Sequence, residues 1–177
     1  HWRMVLRDTD GQTNVTDVRG ESPTGHIQVE PAYNKILKDT FIARWNGKAS
    51  LFIEGAEAEV HPQLAVNQDL QIVSRVLSAD LRKASLAMGQ GALDVTAQLN
   101  SQSAGRWQTT RIRLSCFADL GTTMTSITEP LVISAEGSMK LQITSVKLTA
   151  FDGPAECPDY APSIFGSPGA RFVSDHL

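Results

Sequence analysis

Residues 69–88, DLQIVSRVLSADLRKASLAM, decide whether this chain contains a long helix or two further strands. Apolar residues recur there at steps of three and four, the spacing of one helix face: Leu70, Val73, Leu77, Leu81, Ala84 and Met88. Asp69 can cap the N-terminus of such a helix, and Gly89 or Gly91 can end it. Ile72 and Leu86 fall outside the stripe, which leaves a two-strand interpretation open. The spacing favours one amphipathic helix over 69–88.

The stretch TFIARWNGKASLFIEG, residues 40–55, carries the clearest turn signal in the chain. An Asn-Gly step between apolar runs is the strongest short hairpin signal, and here it is Asn46-Gly47. The turn would place Phe41 opposite Phe52 on one face, with apolar pairs on the other face as well. The sequence therefore predicts a hairpin over 41–53 that is buried on both sides.

A second hairpin is predicted by VLRDTDGQTNV, residues 5–15, at the Asp10-Gly11 step. The acidic residues also invite comparison with a calcium loop. A loop of that kind starting at Asp8 would have Thr13 where glycine is required and Arg19 where a bidentate glutamate is required. The aspartates are better explained as turn formers. We expect no metal site here and no cofactor elsewhere.

The remaining pattern is mainly that of strands. Apolar residues alternate from Gly91 onward, which predicts an antiparallel sheet over 92–151. The alternation changes phase within SMKLQITSVKLTAF, and this predicts a bulge near Thr144-Ser145. PAYNKILKD, residues 31–39, predicts a short helix that begins at Pro31. The expected fold class is α+β and β-rich, with antiparallel sheets, sandwich-like if they stack, packed against one long and one short helix.

Composition limits the classes of protein that this chain can be. Its 177 residues fit one ordinary domain, and its net charge of −3 provides no strong field for polyanions. No nucleic-acid partner is therefore expected. No run approaches the roughly 20 apolar residues of a transmembrane helix.

Residues 153–177 differ from the preceding part of the chain. They are rich in proline and glycine, which exclude regular structure over most of their length. Apolar side chains are spaced between the prolines: Tyr160, Ile164, Phe165 and Phe172. The sequence predicts a globular domain over 1–152 and an irregular arm over 153–177, docked on the domain or on a partner.

The two cysteines, Cys116 and Cys157, are too far apart in sequence for the short spacings of metal ligands. They either form a disulfide or remain as two thiols. A bridge would stabilise the fold by roughly 4 kcal/mol in the chain-entropy model. It would also favour an extracytoplasmic location, such as a secreted, envelope or virion-surface protein.

The sequence pattern indicates no catalytic residue. The four histidines are scattered along the chain, the carboxylates are dispersed, and there is no Gly-x-Ser-x-Gly motif. An enzyme whose site is assembled only by the fold stays an open alternative. Trp107, Arg111 and Arg113 would share one face of a strand, and they predict either a solvated sheet face or a protein-binding patch.

These observations favour a non-catalytic binding or assembly module, such as a surface, envelope, pilus-like or virion component. It would act through protein–protein contacts, with a partner protein or a second copy of itself. The expected interaction surface combines Trp107, Arg111 and Arg113 with the apolar residues of the arm. The alternative is a carrier of an apolar ligand, such as lipid, held in a groove between the long helix and the sheet.

Overall fold

The computed structural model describes residues 3–32, 40–55, 67–102, 104–150 and 173–175, and they form an antiparallel β-sandwich. Its strands are β1 (Arg3–Asp8), β2 (Gly11–Asn14), β3 (Gly20–Glu21), β4 (Ile27–Pro31), β5 (Phe41–Glu54), β6 (Gln68–Met88), β7 (Gly91–Asp94), β8 (Gln108–Arg113), β9 (Leu131–Ala150) and β10 (Val173–Asp175). Two short helices interrupt them, α1 (Thr96–Ser101) and α2 (Leu114–Asp119). Neither of these helices, within the described ranges, has the length and apolarity of a membrane span.

Three long strands form the centre of the fold, with β9 between β6 and β5. Shorter strands pair with the two outer strands of this trio, β6 and β5. β8 and β7 pair with opposite ends of β6, while β4 and β1 pair with opposite ends of β5. β10, β3 and β2 add the outermost strands, and every pairing is antiparallel. A polar site on the central trio would therefore draw residues from three distant parts of the sequence.

The core lies on one side of the central strands. The odd-numbered residues of β5 and of segment 131–143 of β9 point into it, and apart from Gly47 and Gly137 they are buried: Phe41, Ala43, Trp45, Ala49, Leu51, Ile53, Leu131, Ile133, Ala135, Met139, Leu141 and Ile143. Because side chains alternate along a strand, the even-numbered residues of β5 and of this part of β9 form the opposite face. We call this opposite side of the central strands the outer face.

The predicted helix over 69–88 is wrong, because these residues form the 21-residue strand β6. The expected α+β fold class is wrong for the same reason, since the described residues are nearly all antiparallel strand. The register of β6 against β9 shifts between Val76 and Ser78 and again between Leu81 and Lys83. Each shift inserts one extra residue into β6 and so changes the spacing of its buried side chains. Buried Leu81 and Ala84 are three positions apart for this reason, which imitates a helical period. Ile72 and Leu86, the residues that did not fit the helix, are buried as well.

The predicted hairpin over 41–53 is also wrong, since β5 runs through Asn46-Gly47 without reversing. Gly47 has a φ of +126°, so it uses the conformational freedom of glycine to bend a strand instead of turning it. The indole N–H of buried Trp45 donates to the Ala49 carbonyl at 3.0 Å. Those two residues would be about 13 Å apart along a straight strand, so this contact reflects the bend.

Two local predictions are confirmed. β1 and β2 form the hairpin expected over 5–15, with Asp8 paired to Gly11. The bulge expected near Thr144-Ser145 is present, because Val73 pairs with Ser145 and Ser74 with Ile143. Thr144 is therefore the extra residue of the bulge. The sheet expected over 92–151 is only partly present, since α1 and α2 separate its strands.

Two other predictions fall largely outside the described residues. Pro31 ends β4 and does not begin a helix, and the rest of the predicted helix, 33–39, is not described. Most of the predicted arm, 153–177, is likewise not described. Within it, Val173–Asp175 form β10, which pairs with Thr109–Arg111 of β8.

Candidate functional site

A groove of about 320 Å³ lies on the outer face, across β5, β9 and β6. Its lining consists of small, hydroxyl-bearing and charged residues: Lys48, Ala49, Ser50, Lys83, Ser85, Ser134, Ala135 and Glu136. We refer to this set of residues as the groove. All six of its polar side chains come from three short segments, 48–50, 83–85 and 134–136. They are far apart in sequence and adjacent only because the three strands pair.

The groove contains a row of three serines, one from each strand. Ser134 of β9 is the direct cross-strand partner of both Ser50 and Ser85. The hydroxyl oxygens of Ser50 and Ser134 lie 2.7 Å apart in a hydrogen bond. Each serine hydroxyl can donate one hydrogen bond and accept two, so the row retains unused capacity toward a ligand.

A second row, two residues further along each strand, is charged. Glu136 is the cross-strand partner of Lys48 on one side and of Lys83 on the other. The guanidinium of Arg82 also approaches Glu136, with 3.7 Å between Nη1 and Oε1. Neither lysine forms a hydrogen bond or ion pair with any residue in the described ranges. The two ammonium groups are therefore available to a ligand.

On the opposite side of the serine row, the outer face becomes apolar. Val5, Phe52 and Val132 form a small buried cluster, separate from the main core, against which Ala87 packs. The guanidinium of Arg7 lies 4.1 Å from the centre of the Phe52 ring and covers it. The serine row thus lies between an apolar cluster and the charged row.

The sequence contains a signal for this site that the strand periodicities did not reveal. β5 and β6 carry the same tripeptide, Lys-Ala-Ser, at 48–50 and 83–85, and β9 carries Ser-Ala-Glu at 134–136. Antiparallel pairing aligns the three alanines toward the core, where Ala49, Ala84 and Ala135 are buried. The flanking polar residues are then aligned on the outer face. Only the strand order, which sequence reasoning did not supply, brings the three tripeptides together.

The structure places the predicted surface residues Trp107, Arg111 and Arg113 in different environments. Trp107 is half-buried, and the guanidinium of Arg75 lies 4.8 Å from the centre of its ring. Arg75 is held in that position by a 2.7 Å hydrogen bond from its Nε to the side-chain oxygen of Gln142. Arg111 is half-buried on β8.

Arg113 is not a surface residue, because it is only 4% exposed. Its Nε lies 2.7 Å from Oδ1 of Asp69, which is also buried. Burial raises the pKa of the Asp69 carboxyl, and the positive charge of Arg113 opposes this rise. This pair joins β8 to β6 and has a structural role.

The other predicted site residues are divided between described and undescribed parts of the chain. Cys116 is buried in α2, whereas Cys157 lies outside the described residues. Tyr160, Ile164, Phe165 and Phe172 also lie outside them. Asp8, considered above as a calcium ligand, accepts hydrogen bonds from the backbone N–H groups of Asp10 at 2.9 Å and Thr24 at 2.8 Å.

Comparison with solved structures identifies a bacterial enzyme domain with the same fold. The exo-1,3/1,4-β-glucanase ExoP of a Pseudoalteromonas species superposes with a TM-score of 0.71 and 18% identity, over 87% of this chain and 20% of that chain. The extra C-terminal domain (X) of the same enzyme gives a TM-score of 0.68 and 18% identity, over 90% of this chain and 92% of that domain. This chain therefore spans about a fifth of the whole glucanase and nearly all of its extra domain.

Sequence comparison gives two further results. No curated protein matches the chain. A family model described as galactose-binding domain-like matches residues 1–148, which is most of the chain and includes all of the groove. The chain therefore belongs to the galactose-binding domain-like family.

Proposed function

We propose that this chain is a non-catalytic carbohydrate-binding module that holds a glycan in the groove on β5, β9 and β6. The observation that carries the proposal is the row of hydroxyls formed by Ser50, Ser134 and Ser85 next to the charged row. Sugars present many hydroxyl groups, and a site that recognises them needs several donors and acceptors at fixed positions. Because the serines lie on paired strands, their positions are set by the rigid part of the fold.

The type of recognition follows from the environment of the aromatic residues. In the described ranges, most aromatic side chains are buried: Phe41, Trp45, Phe52 and Phe117. Trp107 is partly exposed, with Arg75 over one face of its ring. The described part of the outer face therefore offers no bare aromatic platform for a sugar ring. The proposed binding relies on hydrogen bonds and charge.

The similarity to one domain of a much longer glucanase supports a role within a larger protein. We propose that the module belongs to such a protein and keeps a neighbouring glycan-active domain close to its substrate. Linking two binding units in this way raises the effective concentration of the second one without any new contact. The assembly role and the protein partner expected from the sequence stay predictions. They are compatible with a module of this kind.

The alternative function, a lipid carrier, required a groove between a long helix and the sheet. The structure has no helix at 69–88, because these residues belong to strand β6. A more apolar depression of about 220 Å³ does occur elsewhere, between β1, β5 and β9. It is lined by Arg3, Met4, Phe41, Ile53, Ile143, Thr144, Ser145 and Val146. Sites for drug-sized ligands usually occupy about 300–1,000 Å³, so this volume is small for a lipid chain.

We also propose that the two cysteines form a disulfide and that the C-terminal arm docks on the domain. Cys116 lies in α2, directly after β8, and β10 returns the C-terminal segment to β8. These positions support a bridge from Cys116 to Cys157 that holds the arm against the domain, and such a bridge would favour an extracytoplasmic location. An intact mass two units below the reduced value would demonstrate the bridge.

Isothermal titration calorimetry with galactan and with β-1,3/1,4-glucan tests the proposed binding. Ser134→Leu replaces the central hydroxyl and fills the groove, and we expect it to weaken binding at least about tenfold, through loss of hydrogen bonds and shape. Ser138→Leu is the matched control, because Ser138 lies on the same strand and face but outside the groove. Equal affinities of the two variants would contradict the groove as the site.

Catalysis is tested on the same samples. Prolonged incubation of the chain with both polysaccharides should release no reducing sugar. Hydrolysis that persists through two independent purification routes would contradict the non-catalytic part of the proposal.

A further inference from the structure

We infer that the groove selects glycans that carry negative charge, as carboxylate or sulfate groups, over neutral ones. This inference rests on the proposed function, since it names the class of glycan that the same groove would take. It starts from the balance of charge along the row Lys48, Glu136 and Lys83. That row contains two ammonium groups and one carboxylate.

The positions of the two lysines allow both ammonium groups to contact a bound glycan. Lys48 and Lys83 are exposed on the strands that flank β9, and each lies directly beside Glu136. Adjacent strands are about 4.8 Å apart, so the two lysine backbones are about 10 Å apart across the groove. Each ammonium carries three donors on a flexible stem and can reach toward the serine row. A bound glycan would thus have a cation on either side of it.

The single carboxylate of Glu136 does not neutralise Lys48 and Lys83, because a third cation, Arg82, also lies beside it. Arg82 lies 3.7 Å from it, so one carboxylate faces three positive side chains. The register shift between Leu81 and Lys83 places Arg82 and Lys83 beside Glu136 at the same time. The local excess of positive charge is therefore built into the strand pairing, although the whole chain carries a net charge of −3.

Two other acidic residues on this face, Asp94 and Asp80, do not offset this positive charge. Asp94 pairs with Ser85, but its carboxylate accepts hydrogen bonds from the Thr96 N–H at 3.0 Å and the Thr96 hydroxyl at 2.6 Å. Asp80 pairs with Ser138, outside the groove. Neither residue lines the groove. The lining charges alone give an excess of one positive charge, and Arg82 adds a second beside it.

The geometry favours a glycan over other anions, because charge is combined with hydroxyls. The serine row lies two residues from the lysine row on each strand, a distance of about 7 Å. A sugar ring placed on the serines would hold an attached carboxylate or sulfate within reach of a lysine. Inorganic anions could use only the lysine row, so they should bind more weakly.

The experiment compares three polymers built from galacto-configured sugars, namely neutral galactan, polygalacturonate and sulfated galactan. Binding is measured by calorimetry at about 25 mM and about 300 mM salt, since screening weakens exposed ion pairs. At low salt we expect at least one charged polymer to bind about tenfold more tightly than galactan. Most of this preference should disappear at high salt.

Lysine variants test whether Lys48 and Lys83 cause the preference for charged polymers. Each of Lys48→Ala and Lys83→Ala should weaken binding of the charged polymer about threefold, and the double variant about tenfold. Galactan binding should fall by a smaller factor in each variant, because a neutral polymer forms no ion pair with the lysines. Lys147→Ala is the control, because Lys147 is an exposed lysine on β9 outside the groove. It should leave all three affinities unchanged.

The outcomes separate this inference from the proposed function. Galactan binding without a preference for the charged polymers, or a preference that survives in the double variant, would overturn the inference and leave the proposed function standing. No binding to any of these polymers or to β-1,3/1,4-glucan would overturn both. Inorganic polyphosphate that binds as tightly as polygalacturonate would overturn selection for a glycan. Preference for polygalacturonate over sulfated galactan, or the reverse, would identify the charged group.

Discussion

Gly47 lies directly opposite Gly137 in the ladder between β5 and β9, and the two have φ values of +126° and +129°. Side-chain-bearing residues rarely adopt these values, so both long strands bend at the same level. The groove begins at the next pair, Lys48 and Glu136. On the other side of β9, Gly137 faces the β6 backbone, where a Cβ would lie 2.5 Å from the Asp80 carbonyl oxygen.

Gly137→Ala should destabilise the fold because it combines backbone strain with this backbone contact. Strain at a positive φ costs of order 1–3 kcal/mol, and the contact adds to it, so we expect a loss of at least about 2 kcal/mol. Urea unfolding measures this loss. Gly121→Ala is the control, since Gly121 has a φ of +107° but a Cβ added there would meet no atom of the described residues within 4 Å. Equal losses in the two variants would contradict a role for the contact with β6.

Removing one partner of the buried pair Asp69 and Arg113 should lower the free energy of unfolding much more than replacing both partners with apolar residues. Arg113→Met leaves an unpaired buried carboxylate, and we expect a loss of about 3–5 kcal/mol in the free energy of unfolding. Adding Asp69→Leu should recover most of that loss, because no buried charge then remains. A double variant as unstable as the single one would contradict this explanation.

The exposed pair of Arg44 and Glu30 is the matched control for this ion pair. It is shorter, at 2.6 Å, but its side chains are 43% and 47% exposed. Arg44→Met should therefore cost no more than about 1 kcal/mol. Urea unfolding of all these variants at one pH makes the comparison direct.

Asp8 should make the stability of the hairpin region depend on pH. Desolvation alone would raise the pKa of Asp8, but hydrogen bonds from the side chains of Thr24 and Ser22 and the backbone of Thr24 and Asp10 hold it well below its usual value. A carboxyl whose pKa is lower in the folded state stabilises that state at pH values above the unfolded-state pKa of about 3.9. This contribution is lost as the pH falls toward the lower pKa of the folded state. Wild type should therefore be more stable than Asp8→Asn at pH 7, and the difference should shrink below about pH 4.

Unfolding midpoints in urea at several pH values test this dependence on Asp8. Asp119→Asn is the control for the loss of one carboxylate, since Asp119 is exposed at the end of α2. A difference between wild type and Asp8→Asn that stays constant from pH 7 to pH 2 would exclude a contribution from the charge of Asp8.

Arg75→Ala should uncover the ring of Trp107. The cation–π contact contributes about 0.5–1 kcal/mol, and the buried Gln142 oxygen would also lose its hydrogen bond, so stability should fall by about 1–3 kcal/mol. Iodide quenching of tryptophan fluorescence should increase, and Trp107→Phe should abolish that increase. Quenching that is unchanged by Arg75→Ala would show that the guanidinium does not cover the ring.

The parts of the fold that the sequence predicted correctly depend on neighbours in the chain. The β1–β2 hairpin follows from the short segment 5–15, and the bulge at Thr144 follows from a change of phase within β9. The errors arose where a local pattern has two physical causes. Extra residues in β6 imitate a helical period, and a glycine that bends a strand resembles one that turns it.

The groove could not be predicted from the same patterns, because strand order decides it. Ser50, Ser85 and Ser134 become neighbours only when β9 lies between β5 and β6. Local periodicity indicates which face a residue occupies, but it does not identify which strands are adjacent. The repeated Lys-Ala-Ser tripeptide gains its meaning only after that order is known.

The most direct test of a glycan site in the groove is a titration of the ¹⁵N-labelled chain with galacto-oligosaccharide or galacturonate oligomers, followed by amide chemical shifts. Binding in the groove predicts that the largest, saturable shifts fall on residues 48–50, 83–85 and 134–136. It also predicts that the amides of Trp107 and β8 move little. Shifts concentrated at Trp107 and β8, or no saturable shift with either oligosaccharide, would contradict it.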